Sequence, residues 1–451
     1  MVQGRVWHGR AGSDTADPFD HVDRGLRGHS VPETTGLSLS ILAPNDNWGN
    51  TMSAPRTDRL VSIDALRGIA VLGILMMNVQ GFAMTPLAYD DPTMQMDLTG
   101  ANLDVWAFAH TFFAFKFVTL FSTLFGAGIV LMAGEGETTG RHYPRMLWLL
   151  AIGAVHAYFL WWGDILVHYA LLGMLAVKAR RMAPLKLVIW GLVLIGITAL
   201  LMVGGGYLGV MFASPESAAQ EAEMMAGFQT GMTAAYQAGF VERLPWNAGF
   251  AAIGQIFSMI ALGPRTLGLM FIGMALFKSG FLSASWGAVR YGILALIAVP
   301  VGWWLCDTST TTMIAGEFET QAMADGNALT YVGSLVLAFG YASTVMLISK
   351  IGIFSLIIKL FAATGRMAFT NYLTQTLIMT FIFVGAPGLG LFGTVERVDQ
   401  FKLVLIVWAV QLIWSPVWLH FFRFGPLEWM WRSLTYGKAQ PLLKGKAAEA
   451  A

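Results

Sequence analysis

The chain has 451 residues, of which 56% are hydrophobic and only 12% charged, with a mean hydropathy of +0.60. Soluble domains carry about 25% charged residues, so the composition excludes a water-soluble globular protein and points to a polytopic membrane protein. A net charge of +1 argues neither for nor against nucleic acid, no nucleic-acid partner is expected, and one cysteine, Cys306, excludes an internal disulfide.

Residues 1–54 are rich in Gly, Ser, Asp, His and Arg and hold no apolar run long enough for a secretory signal, so they read as a disordered cytoplasmic tail. Met52 offers an alternative start. A membrane domain is expected over 55–440 and a flexible tail over 441–451. Apolar runs of the required length, roughly 20 residues, fall near 60–83, 105–132, 145–161, 164–179, 184–211, 250–279, 287–305, 328–349, 366–386 and 402–422. The fold class is therefore an all-α membrane helix bundle with about ten spans. The third and fourth runs are joined by a tight hairpin, Trp161-Trp162-Gly163-Asp164. Gly263-Pro264-Arg265 interrupts the sixth and predicts a kink, with a re-entrant pair as the alternative.

Loop charge orients these spans. With the amino terminus inside, Arg56, Arg59, Arg141, Arg145, Lys178, Arg180, Arg181, Lys186, Lys278, Arg290, Lys350, Lys359 and the basic carboxyl end face the cytoplasm, and the opposite loops are acidic. Both termini are expected inside. The larger outer loops would be 213–245, read as an amphipathic surface helix, and 306–327.

Polar residues inside these spans mark candidate sites, because ionised groups there cost roughly 2.5–3.5 kcal/mol each on insertion scales. On the first span, Arg67 lies about 60° from Asp64 and Asn78 about 40° to the same side, giving one polar face. Lys116 follows His110 in the second span. It would pair with an acid, line a cavity or snorkel to the headgroups. Arg145 opens the third span, and His156 stands about 16 Å farther along nearly the same face. Asp164 and His168 are i,i+4 on the fourth. A histidine beside a carboxylate is the usual general-base arrangement, although His156 would equally serve as an interhelical hydrogen bond. Arg366 opens the ninth span, where Asn371 and Gln375, also i,i+4, would act as interhelical glue or line a cavity. The string Gly204-Gly205-Gly206-Tyr207-Leu208-Gly209 follows no strand and is not read as a dinucleotide site. The histidines lack metal-site spacing, so no metal is expected. Cys306 reads as a small residue at a helix end.

Several strings together resemble the YeiB-like family of bacterial inner-membrane proteins, a domain of unknown function. They are Arg59-Leu60-Val61-Ser62-Ile63-Asp64-Ala65-Leu66-Arg67-Gly68 and Gly73-Ile74-Leu75-Met76-Met77-Asn78 at the front, Leu124-Phe125-Gly126 and the stretch from His156 to Tyr169 in the middle, and the stretches 365–375 and 424–432 at the back. The resemblance covers about residues 56–440 and implies an inner-membrane, multi-pass protein. The front motif is also similar to the opening of membrane-bound acyltransferases that move acyl groups onto sugars, including the lysosomal heparan-glucosaminide acetyltransferase type. That likeness implies an acyl-coenzyme A donor on the cytoplasmic side and an acceptor on the far side. Asp64 and Arg67 would lie at the donor end and Asn78 in the catalytic cavity. Those enzymes carry a histidine at or shortly after the end of the first span, whereas Gln80 through Asp104 contain none here. His156, or less readily His110, would replace it.

The leading expectation is an acyltransferase. His156 acts as base, Asp164 orients it, Asn78 donates to the thioester or acceptor, and Arg67 with Arg145 or Arg366 holds the donor phosphates. Lys116, His168, Asn371 and Gln375 are further substrate-binding candidates. No resident cofactor is expected, acyl-coenzyme A being a substrate. Partners are the lipid bilayer and a small-molecule or lipid substrate. A transporter or flippase of a polar solute or lipid intermediate is the alternative, with a non-catalytic binding or assembly subunit third.

Overall fold

The structure, a computed structural model, describes residues 58–444 except 135, 137, 213 and 214. The tail expected over 1–54 lies outside the described residues. Among these residues all regular elements are helical. α1 (Asp58–Ala83) leads into a short α2 (Pro86–Asp90), then α3 (Gly100–Phe112) and α4 (Lys116–Ala133). α5 (His142–Val155) runs into one π-helical turn, His156–Leu160, and the hairpin returns as α6 (Leu166–Ala176). There follow α7 (Pro184–Phe212), α8 (Pro215–Ala238), α9 (Leu244–Ala261), α10 (Gly263–Lys278), α11 (Ala288–Ala315) and α12 (Thr320–Ile351). α13 (Ser355–Arg366), α14 (Ala368–Phe383), α15 (Arg397–Phe421) and α16 (Pro426–Tyr436) complete the order.

Among the described residues six spans are long and apolar enough to cross a membrane: α1, α3 with α4, α7, α11, α12 and α15. The pair α9 and α10, bent by 58°, makes a seventh. The chain is thus a multi-pass membrane helix bundle, in which six or seven of the ten expected spans meet this length and composition measure among the described residues. α5, α6 and α14 are helical where expected; at 14, 11 and 16 residues each is shorter than the ~20 of a single unbroken crossing, with α5 extended by the five-residue π-turn. α6 and α14 are buried along most of their length, which is why they read as apolar as a span. Exposed apolar side chains, which lipid would cover, include Leu192 and Leu200 of α7, Leu296 and Trp304 of α11, Leu147 of α5 and Phe381 of α14.

Other boundaries move for identifiable reasons. The second run is broken at Phe115, whose φ of +63° ends α3 and starts α4. The expected outer loop 306–327 is mostly helix: Ser309 of α11 bonds Thr330 and the Gly326 carbonyl of α12, so this polar string faces a partner helix and not water. Cys306 accordingly lies within α11, fully buried, and not at a helix end. The sixth run crosses as one kinked span. Its start meets the Ala157 carbonyl through Asn247, and its end meets the Met182 carbonyl, beyond the far end of α6, through Lys278. At the carboxyl end, Arg423 and Lys444 pair their backbones with Leu442 and Phe421, so residues 442–444 are tied down where a tail was expected.

The front and back of the chain meet through glycine. α1 and α13 cross so closely that a Cβ on Gly365 would collide with the Asp64 carbonyl, and one on Gly68 with the Phe361 carbonyl. Nearby, Arg366 donates to the Arg423 carbonyl just past α15, so α1 begins and α15 ends at the same end of the bundle. Gly365→Ala should therefore cost at least the 1–3 kcal/mol typical of overpacking, since backbone must move. Gly128→Ala, where an added Cβ meets nothing within 4 Å, should leave stability unchanged or slightly raised. Thermal unfolding of the two variants in detergent checks this, and equal midpoints would contradict the close crossing.

Candidate functional site

The π-turn places the most isolated polar pair in the bundle. His156 is its first residue, 1% exposed, and Nδ1 lies 2.6 Å from Asp164 Oδ2 across the Trp161–Asp164 hairpin. The other carboxylate oxygen, Oδ1, accepts the Val167 amide at 2.9 Å at the start of α6. On the far side of the ring, Nε2 lies 2.9 Å from the Thr376 hydroxyl of α14. A carboxylate at Asp164 takes the Nδ1 proton's bond, which leaves Nε2 as the acceptor facing Thr376. Tyr372, one turn earlier on α14, packs its ring 5.3 Å from that of His156 at a tilt of 45°.

A π-turn that ends inside a bundle leaves carbonyls without helical partners. Asn247 Nδ2 donates to the carbonyls of Ala157 and Tyr158 at 2.8 and 3.0 Å, and Arg243 donates to that of Phe159 at 2.8 Å. Both residues are fully buried. Trp161 stacks on Phe82 at 4.1 Å and donates to the Gly81 carbonyl, fastening the hairpin to the end of α1.

A second polar group lies at the opposite end of α5. Arg67 pairs with Asp64 at 2.6 Å, and Arg366 also acts electrostatically on that carboxylate. Arg145 stacks 3.9 Å over Trp431, whose indole donates to the Arg145 carbonyl, and it lies within the fields of Arg67 and Arg432. Arg141 and Arg432 both cover Tyr436. Five arginines from α1, α13, α16 and the start of α5 therefore gather at the end where α1 begins. Asp64 is the one carboxylate ion-paired among them in the described residues.

The other candidates are placed apart. Asn78 is partly buried one turn before Gly81 and makes no hydrogen bond among the described residues; no bond joins it to His156. His168 turns from Asp164, bonding Thr266 through Nε2 at 3.0 Å and leaving Nδ1 buried without a partner. The four residues expected to converge are thus reduced to one bonded pair. Asn371 and Gln375 bind Ser415 and Gln411 of α15, the arrangement of interhelical glue. Lys116 does not snorkel: it is fully buried and donates to the His110 carbonyl at 2.8 Å. Thr376, Asn247, Arg243 and Arg432 escaped the sequence reading. Thr376 is ordinary in an apolar run, Arg243 and Asn247 fell in or beside an expected loop, and Arg432 counted only as inside charge. Among the described residues no three His, Cys, Asp or Glu side chains are grouped to hold a metal ion.

The protein YeiB of Escherichia coli strain K12, described as uncharacterized, is 32% identical over 86% of this chain and 98% of its own length. The chain belongs to the YeiB-like family. The YxaH protein of Bacillus subtilis strain 168, also uncharacterized, is 29% identical over 86% of the chain and 96% of its own. Residues 276–438 match the family model described as a protein of unknown function, DUF418. No solved structure matches the chain.

In this YeiB-like chain the two strings at the back are one structural unit. Glu428 of α16 caps α14: Oε1 accepts the amides of Phe369 and Thr370 at 2.7 and 3.0 Å, and Oε2 accepts the Thr370 hydroxyl at 2.5 Å. A carboxylate suits a helix amino terminus, where the dipole is positive. Burial pushes the Glu428 carboxyl above its usual range, and the Thr370 and Phe369 bonds oppose that shift. Glu428→Ala should cost about 1–3 kcal/mol through the amides left unpaired, with Glu428→Gln intermediate because it keeps one acceptor. Thermal midpoints of the purified variants test the order, and an unchanged Glu428→Ala midpoint would contradict the cap.

Proposed function

We propose that this chain is an acyltransferase of the bacterial inner membrane, with an acyl-coenzyme A donor entering from the cytoplasm. The observation that carries the reading is the buried Asp164–His156 pair, whose free ring nitrogen faces a hydroxyl. In the proposed step an acceptor hydroxyl or amine takes the place of Thr376 at Nε2 and gives up its proton there. The acceptor atom attacks the thioester carbon, the carbon–sulfur bond breaks, and the departing thiolate recovers the proton from His156. Asp164 stabilises the imidazolium between the two transfers. Asn78, three residues before the Gly81 that bonds the hairpin, is assigned the thioester oxygen, which asks for a rearrangement on binding.

Donor binding falls to the arginine cluster. Arg67, Arg145, Arg366 and Arg432 suit phosphates, which guanidinium groups bind bidentately. His156 lies eleven residues beyond Arg145, about 16 Å along α5, so the thioester arm would run from that mouth into the bundle. A cleft of 290 Å³ lined by Phe228, Pro245, Trp246, Gly249, Phe250 and Ile253 lies beyond the hairpin, with Phe250 5.1 Å from Trp162. Its apolar lining favours a lipid-linked or amphiphilic acceptor. Transport of an anionic solute is the second reading, favoured by the broken pair α9–α10 beside a buried arginine.

The test uses detergent-purified protein with acetyl- and longer acyl-coenzyme A. A donor at about 100 times its dissociation constant should add about 2.7 kcal/mol of stability. The shift should be lost in Arg67→Ala and kept in His156→Ala. Thiol release in the presence of bacterial polar lipids should fall about 100- to 10,000-fold in His156→Ala. Folded protein that no donor stabilises would sink the transferase.

A further inference from the structure

Two cations lie in the interior, far from the arginine mouth and unused by the proposed reaction. Lys116 is fully buried and Arg265 is 5% exposed, and the two lie within each other's electrostatic reach. Neither has a carboxylate within ion-pair distance among the described residues. Arg265 reaches the hydroxyls of Thr119 and Ser334, both at 3.0 Å, and packs over the rings of Phe115 and Tyr331 at 5.1 and 4.9 Å. Thr119 stands one turn beyond Lys116, so the two cations share one wall. The Arg265 Nε is buried with no partner, and so is Nδ1 of His168, whose ring is held by the neighbouring Thr266.

Both cations sit at the start of a half-helix. Lys116 is the first residue of α4, after the left-handed Phe115, and Arg265 is the third of α10, after the 58° bend. A helix start carries roughly half a positive charge. The two starts lie about 27 and 24 Å from the far ends of α4 and α10 at 1.5 Å per residue, in the outer part of a hydrocarbon core about 30 Å thick. Unpaired cations and helix starts at that depth are costly, and carbonyl and hydroxyl partners offset the lost hydration without balancing the charge.

We propose that Lys116, Arg265 and the paired starts of α4 and α10 form an intramembrane binding site for one oxyanion, a carboxylate or phosphate group. The site stands whether or not His156 transfers an acyl group. Its ligand is either a soluble anion or the headgroup of an acidic lipid, and the Phe115 ring, 41% exposed, lies on its outer side.

The experiment is equilibrium dialysis of labelled inorganic phosphate, with acetate as competitor, on full-length protein in neutral detergent. Arg67→Ala runs in parallel, since phosphate will also visit the mouth. A second arm measures thermal midpoints in nanodiscs of phosphatidylcholine alone or with phosphatidylglycerol. The site predicts saturable phosphate binding that survives Arg67→Ala and weakens tenfold or more in Lys116→Gln and in Arg265→Gln, as expected for loss of one charge-assisted contact. Stabilisation by phosphatidylglycerol alone, lost in the same two variants, would equally support the site and identify a lipid headgroup. Should either variant fail to fold, Arg265→Lys and the wild-type dialysis still decide. No anion-dependent signal in either arm on folded wild type, or identical binding in the interior variants and wild type, would overturn it.

Discussion

Inside a bilayer no water completes the hydrogen bonds of a helix that stops early, so each break within this bundle must be closed from elsewhere in the chain. The π-turn after α5 is closed by Asn247 and Arg243. The carbonyls at the end of α3 are taken by Lys116 and by the Tyr341 hydroxyl, and the start of α10 by the Thr198 hydroxyl. The start of α14 is closed by Glu428. Apart from Lys116, six residues from His110, these closures join segments remote in sequence, which makes the breaks the points that fix the tertiary arrangement.

That constraint also explains where chemistry can sit. An unbroken apolar helix presents no backbone groups and needs no polar neighbour, whereas a break imports them. His156 occupies the first position of the π-turn, where side chains already committed to the backbone hold the ring still. The Trp161 indole on Gly81 and the Thr376 hydroxyl fix it from two further elements. Such support is what a general base requires if proton transfer is to cost little reorganisation.

The sequence made the helices and the His156–Asp164 pair legible, because apolar length and an acid and a base eight positions apart across a hairpin are local signals. Thr376 was not, since a lone threonine in an apolar run gives no sign of a partner 220 residues away. The break at Phe115 was equally hidden: Thr111-Phe112-Phe113-Ala114-Phe115 holds neither glycine nor proline. The Asp307–Thr312 stretch misled in the opposite direction. Its polarity reads as a loop, but its hydroxyls serve α3 and α12, with Thr310 bonding both His110 and Thr111. At α5, α6 and α14 hydropathy reports burial in protein and burial in lipid alike, so apolar length there is no direct measure of lipid contact.

The distribution of charge extends this logic. Of the carboxylates set within the predicted spans, Asp164 is committed to His156 and Asp64 to Arg67. The interior at the starts of α4 and α10 therefore keeps positive charge with no carboxylate partner among the described residues, at Lys116 and Arg265. Closing the break at α3 asks only for a donor at the His110 carbonyl, which a neutral side chain such as glutamine would supply at far smaller desolvation cost, and the start of α10 is already closed by the Thr198 hydroxyl. Backbone closure thus accounts for a polar side chain at Lys116 but not for its charge, and for neither at Arg265. A cation retained at that depth has to be matched by negative charge brought from outside the chain, and the breaks that make the fold costly are then also what give it a polar interior to offer.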